Sequence, residues 1–544
     1  VKDFYYPRFV MRVVFIPSLL RKRILWLLAS LALIALSCTE EPTRGASQSP
    51  GSQSASDPVA FAKAPIDDSS SSPQQPGSLA GTAAQTTAAA SETSGDWSEF
   101  LGPHQNGISD ATGLLEKWPA KGPGVLWKLK IGEGYSAPSI RGNRLVLFHR
   151  PLMKSLSGNE EVVECLAADT GKPIWRHGYP TQYIDPYGYN DGPRCTPLLS
   201  ADRCYTFGAE GVLTCLNLED GEQIWQRKTG DEFNIPPTFF GVGATPILEG
   251  NLLIVMVGGH PKSGVMAFDA KTGKTVWESV GPETWPPPRV RIQRDRPPAK
   301  LASYAAPLPA KIHGKRHVLC FMRPGLVSLD PITGETNFSF WFRSELHDSV
   351  NAARPVVVDD YIFLSAAYET GAALLKVHPD GKDYDIVWKD VDAMQTHWST
   401  TIADRGYLYG FSGRHQAGST FRCLEMKTGK LKWQTHDVDA GDEPDPKEGR
   451  GKTPPKYYGR GSATLAEGKF IVQGEAGVLA LVECTPEKFV EISRVNYSEA
   501  GYPSWVAPVL AHKKLYLNVA REVPDAFGRM THEYHLLCLD VAKP

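Results

Sequence analysis

Aromatic and cationic side chains recur in this 544-residue chain where they could grip a flat, charged molecule. Tyr135, Arg194, Tyr304, Asn351, His397, Trp398, Arg460 and Trp505 each stand three or four places ahead of the Pro, or its equivalent, in a repeated marker. The marker is a small residue followed by Pro, or its equivalent: Ala137-Pro138, Thr196-Pro197, Thr245-Pro246, Ala306-Pro307, Arg354-Pro355 and Ala507-Pro508, with weaker copies at Thr400-Thr401 and Ala463-Thr464. Aromatic faces together with two arginines suit a planar anionic ligand, or a peptide bearing carboxylates. The stretch Tyr187 to Arg194 adds Asn190 and Asp191, and Asp191 is the nearest candidate for a general base. The competing reading is structural: the aromatics plug a channel, and the arginines pair with Asp191 or with backbone carbonyls.

Other reactive patterns are thin. Gly-x-Ser-x-Gly and His-Glu-x-x-His do not occur, so hydrolase chemistry has no foothold. His313 and His317 flank Gly314-Lys315, which reads as a hairpin turn without a third metal ligand, and no metal site is expected. Asp437-x-Asp439 with Glu448 half resembles a calcium loop, but Gly441 and Asp442 break its pattern, leaving a solvated acidic loop. Arg289, Arg291, Arg294, Arg296 and Lys300 lie among prolines and read as an exposed loop. Gly241-Val242-Gly243 precedes a strand and lacks the Lys and helix of a phosphate loop. With 58 basic against 60 acidic residues, the chain has no electrostatic reason to bind nucleic acid.

The elements that must position these residues are read from a second repeat. Asp-x-x-Thr-Gly-Lys-x-x-Trp recurs in degenerate form, ending at Trp175, Trp225, Trp277, Trp341, Trp388 and Trp433, with Asp269 to Trp277 the cleanest copy. The Thr-Gly or Asp-Gly supplies a hairpin turn, and each Trp falls on an outer strand, where it can pack between neighbouring sheets. The period, one four-stranded blade per copy, predicts an all-β, eight-bladed propeller over residues 96–544. The last unit lacks its own Trp strand, and Trp127 is left over at the front. An N-terminal strand around Val125 to Lys128 is therefore expected to complete the last blade and close the ring.

The Thr-Gly-Lys-x-x-Trp repeat resembles the PQQ-like (quinoprotein-type) β-propeller family, and the resemblance covers roughly residues 97–544. That family includes alcohol dehydrogenases using PQQ and calcium. It also includes a propeller lipoprotein of the outer-membrane β-barrel assembly machinery, and ectodomains without catalysis. The enzyme branch carries a Cys-Cys ring disulfide beside PQQ, or a Cys-x-x-Cys-His haem site; neither is present. The resemblance therefore implies a binding scaffold without chemistry of its own and without a cofactor. Its partners would be envelope proteins or extended peptides. The alternative is PQQ- and calcium-dependent oxidation of an alcohol or sugar.

Two features upstream and one within the repeats complete the reading. Arg21-Lys22-Arg23 followed by the apolar run Ile24 to Leu36 and Ser37-Cys38 reads as an export signal over residues 1–38, with Cys38 the expected lipidation site. Residues 39–95 hold 45 Ser, Thr, Ala, Gly, Pro or Gln among 57, the composition of a disordered tether. A lipoprotein anchored in the membrane, in the periplasm or at the outer membrane, is the resulting expectation. Cys165, Cys215, Cys423 and Cys538 occupy one repeat position on separate blades and are expected as buried small hydrophobes. Cys204 and Cys215 are expected opposite one another across a hairpin, where a disulfide would be permissible.

Overall fold

The computed structural model describes residues 95–152, 159–236, 238–285, 300–347, 349–435, 458–525 and 527–544. The export signal, Cys38, the tether, the arginine-rich stretch from 289 to 296 and the half calcium loop lie outside these residues. Among the described residues, no helix is long and apolar enough to cross a membrane.

Eight antiparallel sheets of four strands each follow one another in chain order. Blades 1 to 7 span residues 139–180, 198–228, 247–279, 308–341, 356–390, 402–434 and 461–496. Blade 8 takes three strands from residues 509–540 and its outermost strand, Gly124–Ile131, from the front of the chain. Trp127 lies opposite Cys538 in that pairing. The ring thus closes with a strand from each end, as expected, and no blade is left with an unpartnered sheet face.

What holds blade to blade is the Gly–Trp pair, and it acts between blades rather than within one. Trp225 of blade 2 donates its indole N–H to the Ala270 carbonyl in the turn of blade 3, at 3.1 Å. The same bond runs from Trp127 to Ala168, Trp175 to Leu218, Trp277 to Pro331, Trp388 to Met426 and Trp433 to Thr485. The turn glycine lies beneath the incoming indole. A Cβ on Gly273, whose φ is +70°, would sit 2.7 Å from the Trp225 ring. Glycine is required there for its left-handed conformation and for the close approach. The sequence repeat is therefore a record of blade packing.

Two details differ from the sequence reading. In blade 4 the position beside the outer-strand bulge belongs to Phe338, opposite Ser328, and not to Trp341, which pairs with Gly325 at the strand end. Residue type alone points to Trp341, whereas the bulge fixes the register. Cys204 faces Leu216, while Cys215 faces Tyr205. The two cysteines are offset by one residue and so project to opposite faces of the sheet, which rules out the expected cross-strand pair. Both are buried and free. Cys165, Cys215, Cys423 and Cys538 do share one place, each opposite its blade's outer-strand tryptophan.

Residues 97–108 form a strap across one end of the central channel. Trp97 pairs with Ile140 of blade 1, Ser98 accepts from Leu199 of blade 2, and Ile108 bridges to Leu465 of blade 7. The buried Arg354 guanidinium of blade 5 fastens the middle, donating to the carbonyls of Phe100 and Gln105, to the Gln105 side chain and to the Pro307 carbonyl. Burial lowers its pKa to about 9. The channel therefore has a floor. Its mouth is at the opposite end, where the blade-connecting loops gather.

Candidate functional site

The innermost strand of each blade starts at the mouth and runs toward the floor, so the residues ahead of each Pro marker fall on one ring. Tyr135, Arg194, Tyr304, His397, Trp398, Arg460 and Trp505 line a single chamber of about 240 Å³, with Phe100, Leu101 and Asn106 of the strap at its other end. The aromatic part is continuous. Trp505 lies 5.0 Å from Tyr135, 5.7 Å from Tyr189 and 5.1 Å from Trp398, between ring centroids. Phe240 adds a further edge 5.5 Å from Tyr304, and its backbone N–H donates to the Tyr304 hydroxyl at 2.9 Å.

Three sequence candidates stand behind the wall instead. Asn351 is buried and its amide donates to the carbonyls of Met322, Arg323 and Phe342, pinning two loops. Asn190 donates to the Tyr534 hydroxyl and accepts from Gly192. The Asp191 carboxylate accepts from the Asp185 N–H at 2.7 Å, and its carbonyl accepts from Arg150. None of the three lines the chamber.

Both arginines are held by buried carboxylates that the sequence reading missed. Arg460 meets Glu475 through its Nε at 3.1 Å and its Nη2 at 2.7 Å. Glu475 has a fully buried side chain and also accepts from the Arg460 backbone and from the Trp505 indole at 3.0 Å. Arg194 meets Asp185 at 3.1 Å, and the Asp185 side chain is likewise fully buried. Its other donors go to the carbonyls of Gly192 and Asn190. The pairing partner is thus Asp185 and the local carbonyls, not Asp191. Each guanidinium also lies against rings: Arg460 is 4.6 Å from the Trp398 centroid, and Arg194 is 5.4 Å from that of Phe240.

His397 completes the wall as a neutral group. Its Nδ1 accepts from Arg460 at 3.3 Å, and its Nε2 meets the Tyr368 hydroxyl at 2.9 Å. Burial, and then the charges of Arg460 and Arg414, hold its pKa down to about 3. Burial likewise raises the Tyr135 phenol. The chamber is therefore aromatic, closed at one end and free of uncompensated charge. Among the described residues no group of three His, Cys, Asp or Glu side chains is placed to hold a metal ion. His313 and His317 diverge, the first reaching the Val377 carbonyl and the second Ser328.

PQQ, which the enzyme branch of the resembling family would bring, carries carboxylates that need free cations, and its calcium needs a carboxylate with open coordination. The arginines and carboxylates present are already joined in pairs, so the residues do not fit that group.

No curated protein sequence matches the chain. Solved structures share its fold. A europium-containing methanol dehydrogenase is 11% identical, covering 82% of this chain and 98% of its own at a TM-score of 0.53. The quinohemoprotein alcohol dehydrogenase from Comamonas testosteroni is 13% identical, covering 82% and 81% at 0.53. BamB from Moraxella catarrhalis is 14% identical, covering 76% and 99% at 0.46. At such identities the likeness concerns the fold alone. The sequence itself matches a family profile described as outer membrane protein assembly factor BamB over residues 159–441, just over half of the chain. The chain belongs to this family of PQQ-like propellers.

Proposed function

We propose that the protein is an exported, lipid-anchored scaffold of the bacterial envelope that binds other envelope proteins or extended peptides and carries out no chemistry of its own. The observation that carries this reading is where apolar side chains meet solvent. Chain direction alternates from strand to strand, so the blade-connecting loops and the turns between second and third strands share the mouth face. On that face Phe527 is 83% exposed and Ile184 69%, with Tyr187, Tyr189, Leu152, Leu346, Val391 and Met530 also exposed. Toward the floor Ile332 is 67% exposed, and the starts of the outer strands add Val125, Leu126, Ile174, Ile224, Val276, Ile386, Val387 and Leu431, one or two to a blade. The rim residues sit on separate blades, whereas Tyr187 and Tyr189 at the mouth join Phe240 and Trp505, with centroids 5.3 to 6.1 Å apart. A joined exposed apolar patch marks an interaction surface. Family membership agrees with a protein partner, and Cys38 behind an apolar run agrees with a lipid anchor.

The paired arginines weigh against PQQ-dependent oxidation, as does the engagement of Asp191, the candidate base, by backbone donors. The test is site-specific photo-crosslinking of the full chain in its own envelope, with the probe at Tyr187, Tyr189 or Phe527 and a control at Ile332. Adducts from the mouth positions but not from Ile332 are expected. Equal labelling from both faces, or dye-linked oxidation of an alcohol on addition of PQQ and calcium, would overturn the proposal.

A further inference from the structure

Beneath the aromatic ring, the chamber wall changes character. Ser399 and Ser462 occupy equivalent places in blades 6 and 7, each one residue ahead of the blade's sequence marker, Thr400-Thr401 or Ala463-Thr464. They are 8% and 5% exposed, they line the chamber, and neither side chain makes a hydrogen bond within the described protein. Asn106 of the strap lines the same space. Its Oδ1 accepts from the Ile108 N–H, and its amide nitrogen donates to no described group. These three groups open onto the chamber, where a ligand can reach them. Buried polar groups are nearly always bonded, and the exceptions call for a partner that the protein alone does not provide. In the wall above, the Tyr135 hydroxyl and the Trp398 indole N–H also lack one.

The chamber thus joins aromatic faces to neutral hydrogen-bonding groups, and its two guanidinium charges are cancelled in place. An anion would have to compete with Glu475 and Asp185 for them. A purely apolar ligand would leave the serines and Asn106 dry. A ligand with one face of C–H groups and an edge of hydroxyls satisfies both halves. At about 240 Å³ the space far exceeds the roughly 10–15 Å³ that one water needs, and it lies below the roughly 300 Å³ at which drug-sized pockets begin. It suits a single ring. We infer that the central chamber is a binding site for one neutral saccharide ring, stacked on Trp398 and Trp505 and hydrogen-bonded by Ser399, Ser462 and Asn106. The site shares Tyr189 with the protein-docking face, but its binding groups lie below the mouth, and neither proposal depends on the other.

The experiment is saturation-transfer NMR on the full chain with methyl β-D-glucopyranoside as probe, alongside gluconate as the anionic comparator and phenol as the apolar one. The glucoside is expected to show saturable transfer to its ring protons, stronger than either comparator. The double variant Ser399→Ala/Ser462→Ala should weaken it about fivefold or more, the loss of two hydrogen bonds. Its melting temperature should stay level or rise, because both hydroxyls are unbonded in the free protein. Trp398→Phe, which keeps a ring and removes the N–H, should weaken it as well. No saturable transfer from the glucoside, equal affinity in the serine double variant, or tighter binding of gluconate or phenol would each overturn the proposal.

Discussion

Replacing Glu475 by Gln tests the feature on which the character of the chamber depends. The substitution keeps side-chain length and one acceptor, for the Arg460 N–H bonded at Oε1, but turns the Oε2 side toward the Trp505 indole into a donor and removes the charge that faces the guanidinium at 2.7 Å. The Glu475 side chain is fully buried and that of Arg460 is 13% exposed, so chamber water reaches only the edge of the guanidinium and replaces the carboxylate in part. Removing one member of a buried pair leaves the other charge uncompensated and typically costs about 3–5 kcal/mol. The rings beside Arg460, 4.6 and 5.3 Å from its guanidinium carbon, return part of that, so the lower end of the range is expected. Equilibrium urea unfolding of the full chain, followed by tryptophan emission, measures the loss. The double variant Glu475→Gln/Arg460→Met removes both charges and should recover at least half of it. The single variant should also acquire a new property: citrate should raise its urea midpoint and leave the wild type unchanged, because a cation has been unmasked in the wall. A cost below about 1 kcal/mol, or a citrate effect equal in both proteins, would refute the claim that the pair neutralises the mouth.

Two further outcomes follow from the geometry. His397 has a folded-state pKa of about 3 against an unfolded value near 6.5, so the fold favours its neutral form. The stability it confers is complete above pH 6.5 and declines as pH falls toward 3, at up to about 1.4 kcal/mol per unit. Urea midpoints taken from pH 7 to 4 should therefore fall more steeply for the wild type than for His397→Gln, and parallel profiles would contradict the burial of a neutral imidazole. Gly273→Ala and Gly142→Ala separate the two roles of turn glycines. Both have positive φ, +70° and +55°, but only the first would press a Cβ on a tryptophan, while the second meets nothing within 4 Å. Each should lose about 1–2 kcal/mol to the left-handed backbone, with Gly273→Ala losing visibly more and shifting tryptophan emission; equal losses would mean that the indole does not rest on the turn.

The features legible in the sequence are those that repeat. A Gly–Trp spacing encodes the contact between one blade and the next, and a Pro or its equivalent encodes the start of each innermost strand. Blade number, ring closure by the strand around Trp127 and seven of the ten proposed mouth residues were legible for that reason. All are set within one hairpin or one strand register. What fills the mouth follows from contacts that form only in the folded ring. Asp185 reaches Arg194 through a loop that folds back on itself, and Glu475 reaches Arg460 across a hairpin, so no fixed spacing announces either pair. The same holds for the one-residue offset of Cys204 and Cys215, for Phe338 taking the tryptophan place in blade 4, and for the strap that gives the channel a floor. Periodicity reports the local geometry that every blade shares. Charge compensation and closure depend on where single, non-repeating side chains point once the ring has formed.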